Sequence, residues 1–324
     1  MARDIGPYVG SLLRKHFSGY DRPVTVEKSA GTVDLSQTMQ KDAELDPSLY
    51  ASQTIGGHPD YDHLRFSDDV VPGKITTLFA DLKNFSALGM FIDPGEVKIV
   101  KRQVLGLWMD SVRLMGGHIH SIDGDGLMVF FGGAAADPAQ ATYQAVAAGV
   151  NLSTLTSDDL NPLLEDQGYD TVRVRVGIDH DPDMRWGRVG LPPDQYEVKG
   201  TGFGIDFAAK MQQSRKSGFV MVGEELINLI SIPDDYLLVH TYTQNKEEVK
   251  DRHFRRTYHG EEKIYSKRKF DFDKMFREIG GEKRVATDED IRHICTGGET
   301  EDRGITAAAA AAGVRTHPEN EEFA

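Results

Sequence analysis

A short apolar run that stops abruptly on a carboxylate constrains this chain most. Lys74–Ala80 carries Ile75, Leu78 and Phe79 and ends at Asp81, which predicts a central strand rather than a helix. Further on, His118–Ile122 and Leu127–Phe131 flank Asp123-Gly-Asp-Gly126. That composition predicts a tight hairpin with backbone at positive φ, and the hairpin sets Asp125 beside the strand end that carries Asp81. Each aspartate also has a local explanation, because a strand-terminal Asp often caps the next helix and Asp-Gly is ordinary hairpin chemistry. Their shared context favours a joint metal site: Mg²⁺ takes oxygen ligands and binds through one or two carboxylates plus substrate phosphates.

The surrounding pattern supplies the frame. Ile5, Val9, Leu12, Leu13 and Phe17 fall at helical spacing, whereas 20–73 is irregular and rich in Asp, Ser, Gly and Pro. After Pro94-Gly95, the positions Val97, Val100, Val104, Trp108, Val112 and Met115 share one helical face, which Gly116-Gly117 ends. A second helix is expected from Asp137-Pro138 to near Leu155. Val172–Ile178 alternates with Arg173 and Arg175 as a strand with one wet face does, and Arg185–Gly190 is expected to be its hairpin partner. The Gly-punctuated stretch Gly200–Gly204 leads into a helix at 205–214, followed by a strand at Phe219–Val222. Short strands and basic clusters occupy 236–270, and from Gly280 the chain turns polar and Gly-rich, with a mobile tail expected after about residue 295. The division expected is an N-terminal helix and extension over 1–73, a catalytic domain over 74–270 and a C-terminal extension over 271–324.

Composition narrows the partners. At 324 residues, 39% hydrophobic, the chain can bury a sizeable core. A net charge of −14 argues against broad binding to nucleic acid or to an anionic membrane. No apolar stretch approaches the length of a membrane span, and Arg3, Asp4, Arg14 and Lys15 interrupt the N-terminal apolar positions. The single cysteine, Cys295, fits a reducing cytoplasm. No Gly-Lys-Ser or Gly-Lys-Thr follows the glycines at 200–204, so a P-loop is excluded.

Four ordered segments resemble the class III nucleotidyl cyclases, the adenylate and guanylate cyclase superfamily. Phe79-Ala-Asp-Leu-Lys-Asn-Phe-Ser86 is similar to that family's first metal-binding segment and Gly124–Gly132 to its second. Val174–Ile178 with Gly187–Gly190 resembles the next hairpin, and Gly202–Met211 the helix that completes the active site. The resemblance implies a ferredoxin-like α/β (α+β) fold, an antiparallel-rich sheet flanked by helices, working as a head-to-tail homodimer with composite active sites. It implies two Mg²⁺ or Mn²⁺ ions per site on Asp81, the Leu82 carbonyl and Asp125. Backbone N–H groups of Lys83, Asn84, Phe85 and Ser86 would hold phosphate oxygens.

Departures from the family pattern direct the substrate expectation. Purine cyclases carry a base-reading lysine where Ser121 stands, and its acidic partner falls near Glu197 or Lys199, depending on register. The family's transition-state Asn and Arg, four residues apart, become Asp206 and Lys210, which could equally be an ordinary surface i,i+4 pair. Loss of the purine readers beside intact carboxylates resembles the Pycsar-type bacterial pyrimidine cyclases. That implies UTP conversion to cyclic UMP and pyrophosphate, with cytidylate cyclase as the close alternative, and a product read by a separate effector in antiphage defence. Tyr50 is a candidate to stack on the smaller base. Lys250, Arg252, Arg255, Arg256, Lys263, Lys267 and Arg268 form late basic runs, one of which is expected to reach the terminal phosphates. The rivals are a catalytically silent cyclase-homology module and a purine cyclase with a rearranged base pocket.

Overall fold

The computed structural model describes residues 9–17, 25–28, 31–34, 55–83, 85–191, 195–213, 218–244, 247–251, 253–280 and 285–297. In chain order the elements are α1 (Val9–His16), β1 (Thr25–Lys28), β2 (Gly31–Asp34), a 3₁₀ segment (Pro59–Phe66), β3 (Val71–Pro72), β4 (Ile75–Lys83), α2 (Phe85–Phe91), α3 (Pro94–Leu114), β5 (His118–Asp123) and β6 (Gly126–Gly132). Next come α4 (Pro138–Thr154), a π turn (Leu155–Leu160), α5 (Asn161–Asp166), β7 (Arg173–Asp181), β8 (Arg185–Leu191), β9 (Gln195–Thr201), α6 (Phe203–Gln212), β10 (Phe219–Gly223) and α7 (Glu224–Ile230). The chain continues through β11 (Leu237–Leu238), β12 (His240–Gln244), β13 (Glu247–Asp251), β14 (His253–Tyr258), β15 (Glu261–Phe270), α8 (Phe272–Ile279) and α9 (Asp288–Thr296).

The main sheet runs β11-β15-β10-β7-β4-β6-β5, with β14 added on β15, and its β10–β7 pair is parallel. β4 sits centrally because Leu78, Ala80 and Leu82 point into the large core while Thr77, Phe79, Asp81 and Lys83 point to the opposite face. α4 covers the first face: a Cβ on Gly149 would lie 2.7 Å from Ile178 and 3.1 Å from Val176. α6 covers the second, where a Cβ on Gly177 would lie 2.2 Å from the Ala208 carbonyl. One glycine on each side therefore lets a helix approach β7 more closely than any side chain allows.

The helix starts follow from local chemistry. Asp93 and Asp137 accept the backbone N–H of Gly95 and Ala139, with Pro94 and Pro138 in the first turns of α3 and α4. α1 packs its Leu12 and Leu13 into the core that holds Trp108. Lys15 and His16 both reach Asp110 at 2.6 Å. Burial alone would push the Asp110 carboxyl up, but these hydrogen bonds outweigh it and hold it below its ordinary value.

Two expectations change here, and one element is added. Arg185–Leu191 is not the hairpin partner of β7. It pairs with β9 and β3 in a separate three-stranded sheet, because both edges of β7 are already taken, by β4 and by β10. The helix expected at 205–214 begins earlier, at Phe203. The polar stretch beyond Gly280 contains α9, started by a capping box of Thr287 and Asp290. α9 is tied down through Asn151 of α4, which is fully buried and holds both the N–H and the carbonyl of Ala286, at 2.7 and 2.8 Å.

Candidate active site at the strand ends

The β5–β6 turn brings the two aspartates together. Gly124 takes φ 61°, as the first residue of a type II′ turn requires. Gly126 faces Asp81 across the β4–β6 ladder, and a Cβ there would strike the Ala80 carbonyl at 2.6 Å. The Asp125 carbonyl accepts the Leu82 N–H at 3.3 Å, which fixes the turn against the strand end. The Asp125 carboxyl is pushed above its ordinary value first by burial and then by the Asp81 charge beside it, while Lys101 pulls the other way. Arg175, opposite Asp81 in the β4–β7 ladder, forms an ion pair with it.

Two adjoining carboxylates, one of which resists ionisation through burial and then through the charge of the other, are chemically suited to a divalent cation, which would relieve their repulsion. Among the described residues no cluster of three or more His, Cys, Asp or Glu could hold a metal by itself. A cation here therefore needs further oxygens from a substrate, as Mg²⁺ commonly does.

Of the other expected site residues, Leu82 buries its side chain in the core and Phe85 packs there as the first residue of α2. Lys83 is still within β4, opposite Arg173. Ser86 follows Phe85 in α2. Asn84 and Tyr50 lie outside the described residues. Ser121 sits in β5 beside a register shift and donates to Asp123 at 2.7 Å. Glu197 and Lys199 lie two apart on β9 and pair at 3.0 Å. Glu197 also stands 3.8 Å from His120, the residue before Ser121. The structure thus brings one of the two candidate positions of β9, Glu197, to the residue that precedes Ser121. Sequence reasoning misses His120, although its alternation with His118 along β5 is a visible signal. Burial lowers its pKa, and Glu197 opposes that effect.

Asp206 and Lys210 are both exposed on α6 and form no pair with each other. Lys210 lies over the Phe254 ring at 4.9 Å. Among the described residues, no hydrogen bond or ion pair joins either to Asp81 or Asp125 of the same chain. The glycines before α6 also gain an explanation: Asp181 at the end of β7 accepts the Gly204 N–H at 2.8 Å, and a Cβ on Gly202 would lie 2.0 Å from its carboxylate. These glycines make room for a buried carboxylate that starts the helix. Between this helix start and the β14–β15 hairpin lies a cavity of about 580 Å³, lined by acidic Asp181 and Glu225, basic Arg256 and Lys263, and aromatic Phe254 and Tyr265.

No family model matches the chain. In sequence it is 26% identical over 190 residues to a cytidylate cyclase of Escherichia coli, 56% of this chain and 41% of that protein. It is 26% identical over 208 residues to a cytidylate cyclase of Staphylococcus aureus, 64% of this chain and 48% of that one. A second Escherichia coli cytidylate cyclase is 31% identical over 188 residues, 56% of this chain and 41% of that protein. The chain thus spans less than half the length of these relatives. In structure, it superposes with TM-score 0.52 on the adenylyl cyclase CyaB of P. aeruginosa, at 17% identity, covering 68% of this chain and 100% of that one. The chain has the class III nucleotidyl cyclase fold. In sequence it is similar, over part of its length, to pyrimidine cyclases. Among the described residues, no helix of this cyclase-fold chain is long and apolar enough to cross a membrane.

Proposed function

We propose that this chain is a pyrimidine nucleotide cyclase, closing the ribose 3′-hydroxyl of a pyrimidine triphosphate onto its α-phosphate with release of pyrophosphate. The juxtaposition of Asp81 and Asp125 at adjoining strand ends carries this reading. These two side chains, with the Leu82 carbonyl, would hold Mg²⁺ or Mn²⁺. Held by these residues, such a cation would supply Lewis acidity toward the attacking hydroxyl and offset charge on the leaving oxygen. Arg175, fixed by Asp81, supplies a permanent charge beside the reacting phosphates. Asp206 and Lys210 stand clear of the carboxylates of their own chain. A head-to-tail homodimer would present them to the other protomer's site, with Lys210 placed over the α-phosphate. Ser121, Glu197 and Lys199 would contact the base, with Tyr50 stacking on it. Backbone N–H groups at 83–86 are assigned to the phosphates.

UTP to cyclic UMP is the reading drawn from the sequence. The names of the three relatives favour a second, CTP to cyclic CMP. A cyclic product acting through a separate effector in bacterial antiphage defence accords with either. The test is incubation with each of the four ribonucleoside triphosphates and Mn²⁺, with products resolved by mass, alongside Asp81→Asn and Asp125→Asn. A cyclic pyrimidine nucleotide that disappears in both variants is expected. A cyclic purine nucleotide alone would overturn the base assignment, and no product from any triphosphate would favour the silent module.

A further inference from the structure

On α6 the spacing of four and then three residues sets Phe203, Phe207 and Lys210 along one helical stripe. That stripe meets the β14–β15 hairpin. Phe207 packs edge-on against Tyr265 and Phe254, at 4.5 and 5.5 Å between ring centroids, and the Lys210 ammonium lies 4.9 Å from the centre of the Phe254 ring. We propose that Phe254 is a positioning residue: its ring holds the Lys210 ammonium in one place without neutralising it, ready for the partner protomer's site. The proposal rests on the cyclase reading, which gives Lys210 its task, and adds the residue that places it.

The first argument is the choice of partner. Asp206 stands one turn before Lys210 on α6, yet the two form no pair, and among the described residues Lys210 makes no ion pair with any other acid. This holds in a chain with 51 acidic residues against 37 basic ones. A carboxylate partner would offset the charge and occupy ammonium donors. A ring face attracts the cation through its quadrupole, and leaves the charge uncompensated and the N–H groups open to an oxygen ligand. Such an arrangement suits a lysine that must meet an anion from outside its own chain.

The second argument is that the ring is itself fixed. Phe254 is half-buried against Phe207 and stands directly opposite Tyr265 in the β14–β15 ladder. Tyr265 in turn donates to buried Asp179 at 2.7 Å and accepts the Glu225 N–H at 2.9 Å, which ties the hairpin to β7 and to the start of α7. Lysine carries a compact charge on a flexible four-carbon stem. The anchored ring supplies the restriction that the stem lacks.

A purely apolar role for Phe254, covering the stem of Lys210, predicts that leucine would serve as well; a cation–ring role predicts that it would not. Arg256, two residues along the same face of β14, also lies on the Phe254 ring, its guanidinium 4.4 Å from the centroid. Loss of the ring therefore releases two cations, and a Lys210→Gln background tells them apart.

The test pairs turnover of the full chain with a spectroscopic readout that needs no substrate. Phe254→Leu keeps apolar bulk and removes the ring, whereas Phe254→Tyr keeps the ring. Each variant is assayed below its own melting temperature, so that lost folding is not read as lost turnover. In the cyclisation assay Phe254→Leu should lower kcat about two- to fivefold, the factor that a cation–ring attraction at an exposed site corresponds to, with KM little changed, and Phe254→Tyr should retain the wild-type rate. With Lys210→Gln already in place, Phe254→Leu should lower kcat no further. For the second readout the lysines are ¹³C-methylated, which keeps their charge, and the Lys210 resonance is assigned by its loss in Lys210→Gln. The ring current should displace that resonance upfield in wild type and in Phe254→Tyr, and Phe254→Leu should return it to the position of exposed lysines. An undisplaced Lys210 resonance in wild type overturns the proposal. So does a fall in kcat from Phe254→Leu that is equal with and without Lys210, or a Phe254→Tyr variant as impaired as Phe254→Leu. If no triphosphate is cyclised but the Lys210 resonance still depends on the ring, the placement of Lys210 stands and the cyclase reading falls. If cyclisation proceeds with kcat unaltered in Phe254→Leu, the cyclase reading stands and Phe254 loses its role.

Discussion

Replacing Gly177 by alanine tests how the fold sets the position of α6. The added methyl would lie 2.2 Å from the Ala208 carbonyl, 2.7 Å from the Gln212 nitrogen and 3.0 Å from Met211 Cβ. The first two are backbone atoms, so no rotamer change relieves the clash, and α6 must retreat by roughly 1 Å to restore ordinary contact. A gap of that size forfeits about a quarter to a half of the dispersion well for each atom facing it. Phe207, Ala208 and Met211 are the buried residues that lose it. Overpacking of this kind costs about 1–3 kcal/mol, offset by about 0.4–1 kcal/mol because alanine restricts the unfolded chain. The net expectation is a loss of about 1–2 kcal/mol, read as a lower urea midpoint at unchanged slope. Gly89→Ala is the control. Gly89 lies in α2, and a Cβ added there would meet nothing within 4 Å, so alanine should stabilise by about 0.5–1 kcal/mol. Turnover is the second readout. Lys210 rides on α6, and a displacement of about 1 Å at a reacting centre can cost about 100-fold. An unchanged midpoint for Gly177→Ala would refute the packing argument. A lowered midpoint with unchanged turnover would remove α6 from the chemistry.

Two further outcomes follow from buried polar groups. Asp179 is fully buried, and burial pushes its carboxyl up to about 8 despite hydrogen bonds from Tyr265 and the Leu226 and His180 N–H groups. The native state therefore holds a proton that the unfolded chain releases near pH 4. Stability should be greatest at the acid end and fall as pH rises from about 4 to 8, by up to about 5 kcal/mol, and Asp179→Asn should flatten that slope in urea melts at pH 5 and pH 8. Asn151→Ala strands the N–H and carbonyl of Ala286; at about 1–3 kcal/mol per unpaired buried group, it should cost about 2–4 kcal/mol, and hydrogen exchange should rise first in α9.

The legible parts of the fold are those set by local chemistry. The strand ending at Asp81, the Asp123–Gly126 turn and the Pro-started helices α3 and α4 are all fixed by residues close in sequence. What escapes depends on register between distant segments. The alternation of Arg173 and Arg175 reads as a wet face, yet it is the face that carries Asp81, and only the β4–β7 ladder reveals that. β8 misleads for the same reason: its local pattern is that of a strand, but its partner is chosen by which edges remain open. α9 is hidden because its burial depends on Asn151, far away in α4.

The carboxylate of Asp181 beneath the start of α6 makes β7 a ruler for the candidate site and the helix proposed to serve it. The same strand carries Arg175, locked to Asp81, and six residues later the anchor from which the helix bearing Lys210 departs. At about 3.3 Å per residue those two reference points are about 20 Å apart along one rigid strand. In a head-to-tail pair, where one protomer's helix serves the other's carboxylates, the spacing between the two sites would then be inherited from β7 in each subunit. Small errors of docking would shift both sites together and leave their separation intact.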